Sequence, residues 1–244
     1  MKVFILAGGF GTRLSEYTKL IPKPMIKIHK LPILIHIMKL YLNYGHCDFY
    51  ILMGYKSSVI KKYFKNFKNL NKRFRFPIDK KKCYVTLIDS GLNTLTGGRL
   101  KTAENFLHKG ENFMFSYGDG ISNINLKKLE EFYTRNKKLI AVTAVRPPAR
   151  FGEIIIKKNK VIKFKEKPQV SNSSGWINGG FFITNKKFLK MIKNKKTILE
   201  KQPLEKASKK GELIAFRHNG FWKCMDTLRD KNVLEKIYKE NGFK

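Results

Sequence analysis

A chain of 244 residues, 42% hydrophobic and 13% aromatic, is long enough for one large domain with a sizeable core. No apolar run reaches the roughly 18 residues of a membrane span; the start MKVFILAGG is too short in its apolar part for a secretory leader; three cysteines without metal-like spacing point to a reducing cytoplasm, not a disulfide framework. The net charge of +33 invites a nucleic-acid reading, but 42 lysines against nine arginines, spread over nearly every polar face, lack the clustered arginine and aromatics of a specific reader, so no specific nucleic-acid partner and no membrane partner is expected.

The apolar run at 3–6 suits a strand buried on both faces. Gly8, Gly9 and Gly11 follow at once, then Arg13, and Lys23 stands between Pro22 and Pro24. Glycines let main-chain N–H groups approach an anion, arginine is a permanent cation, and the prolines stiffen the lysine's backbone. Strand, glycine turn and two cations make a cradle for a triphosphate. No Gly-Lys-Ser/Thr closes the loop as in a Walker A motif, and Leu14 stands where the dinucleotide fingerprint needs a third glycine. Alone, the glycines would read as a tight turn.

Pro32 opens a helical pattern of Ile33, Leu34, Ile37, Leu40, Tyr41 and Tyr44 that Gly45 ends. A second apolar strand spans 48–53, and Ser57 or Ser58 starts a helix through Phe67. Alternating strands and helices predict an α/β fold, a Rossmann-like doubly wound and mostly parallel sheet. His36 and His46 have no clustered partners and read as packing or surface residues. Residues 65–82 are basic and weakly periodic, a connector or lid. A strand at 85–88 leads into a loop carrying Thr94, Thr96, Gly97, Gly98 and Arg99, with a helix expected over 99–107.

The strand at 113–116 closes on Tyr117-Gly118-Asp119-Gly120. A carboxylate at the carboxyl end of such a strand lies where ligands bind in open α/β sheets, although a turn aspartate bonded to its own backbone gives the same pattern. A helix at 126–133 and a strand at 140–145 follow. After Pro147-Pro148, short strands at 154–156, 161–164 and 181–184 predict a smaller mixed or antiparallel part, so that 1–146 and 147–244 are two parts of a single domain. Glu166-Lys167-Pro168 offers a carboxylate and an ammonium, and Asn178-Gly179-Gly180 an amide and open backbone. Helices are expected at 187–192 and 203–209 and a strand at 213–216. Asp226 precedes a helical pattern over 228–238 and is placed to serve as its N-cap.

LAGGFGTRL followed by PKPM resembles the signature of the sugar-1-phosphate nucleotidyltransferases. The likeness continues along nearly the whole chain, through TGGRLK (96–101), YGDG (117–120), EKP (166–168), WINGGFF (176–182) and FWKCMDTLRDK (221–231). These segments are most similar to the family's cytidylyl-transferring branch, which makes CDP-glucose from CTP and glucose 1-phosphate. The resemblance implies a GT-A-like fold with Leu6, Ala7, Gly8, Gly9, Phe10, Gly11, Thr12 and Arg13 around the nucleotide phosphates. It implies Arg13 and Lys23 as catalytic cations, Asp119 and Asp226 as ligands of Mg²⁺, and Gly118 beside them. Glu166, Lys167, Asn178 and Gly179 would hold the sugar phosphate. The loop with Thr94, Thr96 and Arg99 would face the base, the two threonines offering hydroxyls. Arginine only donates hydrogen bonds, and cytosine presents adjacent N3 and O2 acceptors where uracil and thymine carry N3–H. Arg99 aimed at that edge would reject the wrong pyrimidine; an ordinary surface arginine at a helix start is the alternative.

The branch also implies a cytoplasmic homo-oligomer such as a hexamer, serving dideoxyhexose and surface-polysaccharide synthesis, the O-antigen of lipopolysaccharide included. Other readings are a relative using dTTP or UTP, or another phosphorylated acceptor, and a non-catalytic nucleotide-binding regulator. The thymidylyl branch has an alanine-containing segment where TGGRLK stands, and intact Arg13, Lys23, Asp119 and Asp226 argue against a regulator.

Overall fold

The computed structural model describes residues 1–66, 69–147, 153–165 and 175–243. In chain order the first half runs β1 (Lys2–Ala7), α1 (Ser15–Thr18), β2 (Lys27–Ile28), β3 (Leu31–Pro32), α2 (Ile33–Asn43), β4 (Asp48–Met53), α3 (Ser57–Tyr63), β5 (Arg73–Arg75), β6 (Tyr84–Asp89) and α4 (Thr96–Lys101). There follow β7 (Asn112–Tyr117), β8 (Gly120–Ser122), α5 (Leu126–Asn136), β9 (Ile140–Val145), β10 (Glu153–Lys157) and β11 (Lys160–Lys165). The chain ends with β12 (Ile177–Asn185), α6 (Gln202–Lys209), β13 (Leu213–His218), β14 (Trp222–Cys224) and α7 (Leu228–Asn241).

Eight strands form one sheet in the order β13-β9-β12-β7-β1-β4-β6-β5. Strands β7, β1, β4 and β6 are parallel neighbours. Side chains alternate across a strand, so a strand buried on both faces feeds two cores. Val3, Ile5 and Ala7 of β1 enter one core and Phe4 and Leu6 the other; Phe49, Ile51 and Met53 of β4 divide from Tyr50 and Leu52 in the same way. Helices α2, α5 and α7 cover the first face through Ile37, Leu129 and Leu234, and α4 and α6 the second through Leu100 and Ala207. Each such Val, Leu, Ile, Phe or Met side chain, when fully buried, contributes about 1.5–3 kcal/mol by leaving water. The result is the expected doubly wound, mostly parallel sheet between two helical layers.

The mixed character expected beyond residue 147 lies largely inside this same sheet. Strand β12 runs antiparallel between β7 and β9, and β13 returns parallel to β9. Outside that sheet, among the described residues, β10 and β11 form a separate antiparallel pair and β14 pairs antiparallel with β8. Several local expectations change. The helix foreseen at 99–107 starts earlier, as α4, and gives way to a 3-10 turn at Thr102–Phe106. The segment at 187–192 is also 3-10, over Lys186–Met191. Helix α3 stops at Tyr63, and Phe67 lies outside the described residues. The connector at 65–82 contains the antiparallel edge strand β5. His36 and His46 are buried; His36 Nε2 meets the carbonyl of Ile28 at 3.0 Å, and His46 Nε2 lies 3.6 Å from Glu130. Among the described residues no helix is long and apolar enough to cross a membrane.

Parallel pairing decides where the site forms. Leu6 pairs with Tyr117 and Met53 with Asp89, so β1, β4, β6 and β7 all end at one edge. The loops after these strands therefore emerge side by side, which is the crevice where open α/β sheets bind ligands.

Candidate active site

A cleft of about 590 Å³ opens along that edge. Its floor is the glycine loop after β1. Gly11 has φ of 65°, and Thr18 Oγ1 donates to the carbonyls of Gly11 and Leu14 at 3.1 Å, which fixes the turn into α1. Lys23 follows Pro22, extended at ψ of 146°, and begins a 3-10 turn with Pro24 inside it. Its side chain is 10% exposed and its aim is set by this stiff backbone.

Two short strands bring the acids together. Strand β14 pairs antiparallel with β8, setting Cys224 opposite Gly120, and the Met225 amide donates to the carbonyl of Asp119 at 2.9 Å. Asp119 and Asp226 thus share one turn-lined corner. Lys23 Nζ donates at 2.6 Å to both Asp119 Oδ2 and Asp226 Oδ1, and Arg13 Nη1 lies 2.8 Å from Asp226 Oδ2. Burial works to lower the Lys23 pKa, but the carboxylates of Asp119 and Asp226 outweigh it and hold the ammonium well above its ordinary value. Arg13 is 71% exposed and faces the open cleft. Asp226 is not the cap of α7: Thr227 is, in a reciprocal capping box with Asp230, which leaves the Asp226 carboxylate to the corner.

Leu6, Gly8, Gly9, Phe10, Gly11, Thr12, Thr94, Thr96, Arg99, Gly118, Asn178 and Gly179 line the cleft with the four charged residues. Ala7 does not; it is 1% exposed and packs in the core. Glu166 and Lys167 lie outside the described residues.

Arg99 lines the cleft but is not free to read a base. Its side chain is buried between Gly8 and Gly54, where any Cβ would overlap the guanidinium. Nη1 donates to Met53 O and Ser90 Oγ, both at 2.6 Å; Nη2 donates to Gly8 O at 3.1 Å and Thr94 O at 2.7 Å. Burial lowers its pKa, with Asp89 opposing. The expected base reader is a brace that ties the ends of β1, β4 and β6 together. Thr96 is likewise committed: its hydroxyl donates to Glu200 Oε2 at 2.7 Å and accepts from the Leu199 amide at 3.0 Å. Gly97 and Gly98 serve the 194–199 segment, not a nucleotide. Both amides donate to Thr197 O, and a Cβ on Gly98 would overlap the backbone of Lys195.

This docking reveals a polar wall that the sequence reading missed. Tyr117 donates its phenol to Glu200 Oε1, and Asn178 Nδ2 donates to Tyr117 Oη at 3.2 Å. Trp222 Nε1 donates to Gly179 O at 2.7 Å. Tyr117, Trp222 and Cys224 stood inside quoted motifs and could have been taken from them; Glu200 has no local signal. The cleft thus has a charged end built for phosphates and a hydroxyl- and carboxylate-lined wall suited to a polyhydroxy ligand. Among the described residues, ligand atoms of Asp119, Cys224 and Asp226 lie within 4.8 Å of one another, and Lys23 already places a positive charge on both carboxylates. Two hard carboxylates of this kind fit a Mg²⁺ ion.

Comparison with known proteins shows the family. A family model described as nucleotidyl transferase matches residues 2–227. The glucose-1-phosphate cytidylyltransferases of Salmonella typhimurium and Salmonella typhi are each 42% identical over 250 residues, covering 98% of this chain and 96% of theirs. The solved structure of HddC from Yersinia pseudotuberculosis is 26% identical with a TM-score of 0.71, covering 97% of this chain and 99% of that one.

Proposed function

This chain belongs to the nucleotidyl transferase family, and on that premise we propose that it transfers the cytidylyl group of CTP to α-D-glucose 1-phosphate, giving CDP-glucose and pyrophosphate. The observation that carries the reading is the meeting of Arg13, Lys23, Asp119 and Asp226 in one corner of the cleft. The substrates come from the two Salmonella relatives.

A phosphate oxygen of the sugar phosphate attacks the α-phosphorus in line. The bond from that phosphorus to the oxygen bridging the β-phosphate breaks, and pyrophosphate carries its electrons away. The nucleophile is already an anion at neutral pH, so no side-chain base is required. The obstacle is the approach of two polyanions, which positioning and fixed charge overcome. The 8–12 backbone and Arg13 hold the β- and γ-phosphates. Lys23 exchanges its carboxylate partners for oxygens of the α-phosphate and the attacking phosphate, whose negative charge takes over from Asp119 and Asp226 in keeping the ammonium protonated. Asp119 and Asp226 would hold Mg²⁺, which when bound supplies further neutralisation of phosphate charge.

The base lies against Leu92 and Leu95, which are 52% and 42% exposed and line the cleft. The hexose lies toward Tyr117, Asn178 and Glu200, with Glu166 taking a hydroxyl and Lys167 the phosphate. The same reading carries a homo-oligomer, checked by sedimentation, and a product consumed by enzymes that remodel or transfer an activated hexose for surface polysaccharide.

The test is product mass spectrometry over a grid of four nucleoside triphosphates and several sugar phosphates, with and without Mg²⁺. CDP-glucose as the dominant Mg²⁺-dependent product is expected. No nucleotide sugar from any pair overturns the transferase reading; a product dominated by another nucleotide or sugar replaces the substrate.

A further inference from the structure

We propose that Glu200 is a specificity-determining residue: it fixes the hydrogen-bond polarity of the cleft's polar wall, so that the wall selects a pair of adjacent sugar hydroxyls, and it ties that choice to Thr96 on the nucleotide side. Its position is set by the segment that carries it. The Leu95 amide donates to Lys195 O at 2.9 Å, the Gly97 amide to Thr197 O at 3.0 Å, and the Leu199 amide to Thr96 Oγ1 at 3.0 Å. Leu199 is fully buried, so Glu200 leaves a fixed point and stands exposed at the cleft. Its two carboxylate oxygens serve two sides. Oε2 accepts from Thr96 Oγ1 at 2.7 Å, and Oε1 accepts from the Tyr117 phenol. The Tyr117 ring is fixed in turn. Phe182 packs nearly perpendicular to it with centroids 5.9 Å apart, and a Cβ on Gly180 would overlap it.

A carboxylate only accepts, so the Tyr117 hydrogen is committed to Glu200. Burial, with the charge of Glu200 adding to it, raises the pKa of the phenol, so the hydrogen stays on Tyr117. Tyr117 Oη then accepts from Asn178 Nδ2 at 3.2 Å. Asn178 Oδ1 accepts from the Gly180 amide at 2.8 Å, which fixes which way the side-chain amide points. Among the described residues, this leaves a ligand the second Nδ2 hydrogen of Asn178 and the remaining lone pairs of Glu200, on either side of one phenol oxygen. Two hydroxyls on adjacent ring carbons match that pattern: one donates to Glu200 and its neighbour accepts from Asn178. A phosphate does not match, because its oxygens only accept and they meet a like charge at Glu200. The sugar is thereby turned with hydroxyls toward the wall and phosphate toward Arg13 and Lys23.

This inference rests on the reading of the cleft as a site for a nucleoside triphosphate and a sugar phosphate. Its test is kcat/KM for glucose 1-phosphate and for its monodeoxy analogues, with the nucleotide that gives product. In the wild type, loss of the hydroxyl that donates to Glu200 should cost about 10- to 100-fold, the worth of a hydrogen bond to a charged group, and loss of its neighbour less. In Glu200→Gln, which offers a neutral acceptor, the larger penalty should shrink to roughly threefold, with KM for the sugar phosphate moving more than KM for the nucleotide. Tyr117→Phe should shrink it likewise, and adding Tyr117→Phe to Glu200→Gln should shrink it no further, because the two side chains act as one unit. Thr96→Val should shrink it too, although Thr96 stands on the nucleotide side, and Thr96→Ser should keep the wild-type pattern. A variant that only loosens the fold lowers kcat/KM for every sugar alike and leaves the pattern in place. Penalties unmoved in Glu200→Gln, in Tyr117→Phe should that variant fail to fold, or in Thr96→Val overturn the proposal, and so does a wild type indifferent to every analogue. No product from any pair of substrates overturns the transferase reading and this inference together, whereas product with unmoved penalties overturns this inference alone.

Discussion

The guanidinium of Arg99 gives its Nη hydrogens to four acceptors: Gly8 O, Met53 O, Ser90 Oγ and Thr94 O. Each bond involving a charged donor contributes about 1.5–3 kcal/mol, and removing the donor strands its buried acceptors. Arg99→Met should therefore cost about 3 kcal/mol or more, a fall in melting temperature of roughly 6–12 °C for a chain of this size. Arg99→Lys should recover little, because an ammonium cannot reproduce the planar fork. Scanning calorimetry checks both. An unchanged melting temperature with a relaxed CTP-over-UTP preference would restore the base-reading role instead. Lys23 answers to different physics. Its folded pKa is raised above the ordinary 10.5, so its stabilisation is fully present below that value and is lost only as pH rises through the higher folded one. The rate should show no Lys23 inflection between about pH 6 and 9. Lys23→Ala and Asp119→Asn should each lower kcat by about 100-fold or more through lost charge stabilisation. A wild-type rate in either variant removes that residue from the mechanism.

Helix α7 couples stability to the corner. Thr227 and Asp230 satisfy each other's backbone amides at its start, and Asp226 is the residue before that cap. Thr227→Ala should cost about 1 kcal/mol of stability. It should also lower kcat more than the stability loss explains, since the carboxylate beside it loses its anchor; a variant with lower melting temperature and unchanged kcat would separate cap from site. Strands β1, β4, β6, β7 and β9 were legible as apolar runs because both of their faces are buried, and so was the crevice at their ends. Strands β8 and β14 were not, since three residues show no period, yet their pairing is what unites Asp119 with Asp226. Apolar spacing also fails to distinguish i+3 from i+4 winding, which is why 102–106 and 186–191 read as α-helix. The four charged residues could be named from motifs. The partners of Arg99 and the reach of Glu200 depend on tertiary packing between distant segments, and no local pattern encodes them.

At the scale of the molecule, 51 basic against 18 acidic residues leave most positive charge uncompensated. Self-repulsion favours expansion, and salt screens it over about 10 Å at 0.1 M. The melting temperature should rise as NaCl increases from about 10 to 150 mM, while any binding to nucleic acid collapses over the same range. Acid adds a second, separable effect. Burial lowers the pKa of His36, His46 and His218, that of His46 to about 4 with the amino-terminal ammonium helping. A folded pKa below the unfolded one means that the unfolded chain binds more protons in the window between them. Stability is therefore whole above the ordinary 6.5 and is lost as pH falls toward the folded values, down to about 4 for His46. Each histidine inside its window adds a slope of about 1.4 kcal/mol per pH unit. Lowering pH also neutralises carboxylates and deepens the repulsion, so both effects point the same way, but only repulsion is screened. Urea unfolding at stepped pH, in low salt and again in about 0.5 M NaCl, divides them. The histidine slope should survive high salt, and His46→Asn should reduce it by up to one proton between about pH 6.5 and 4. A slope that vanishes with screening would assign the acid sensitivity to net charge alone.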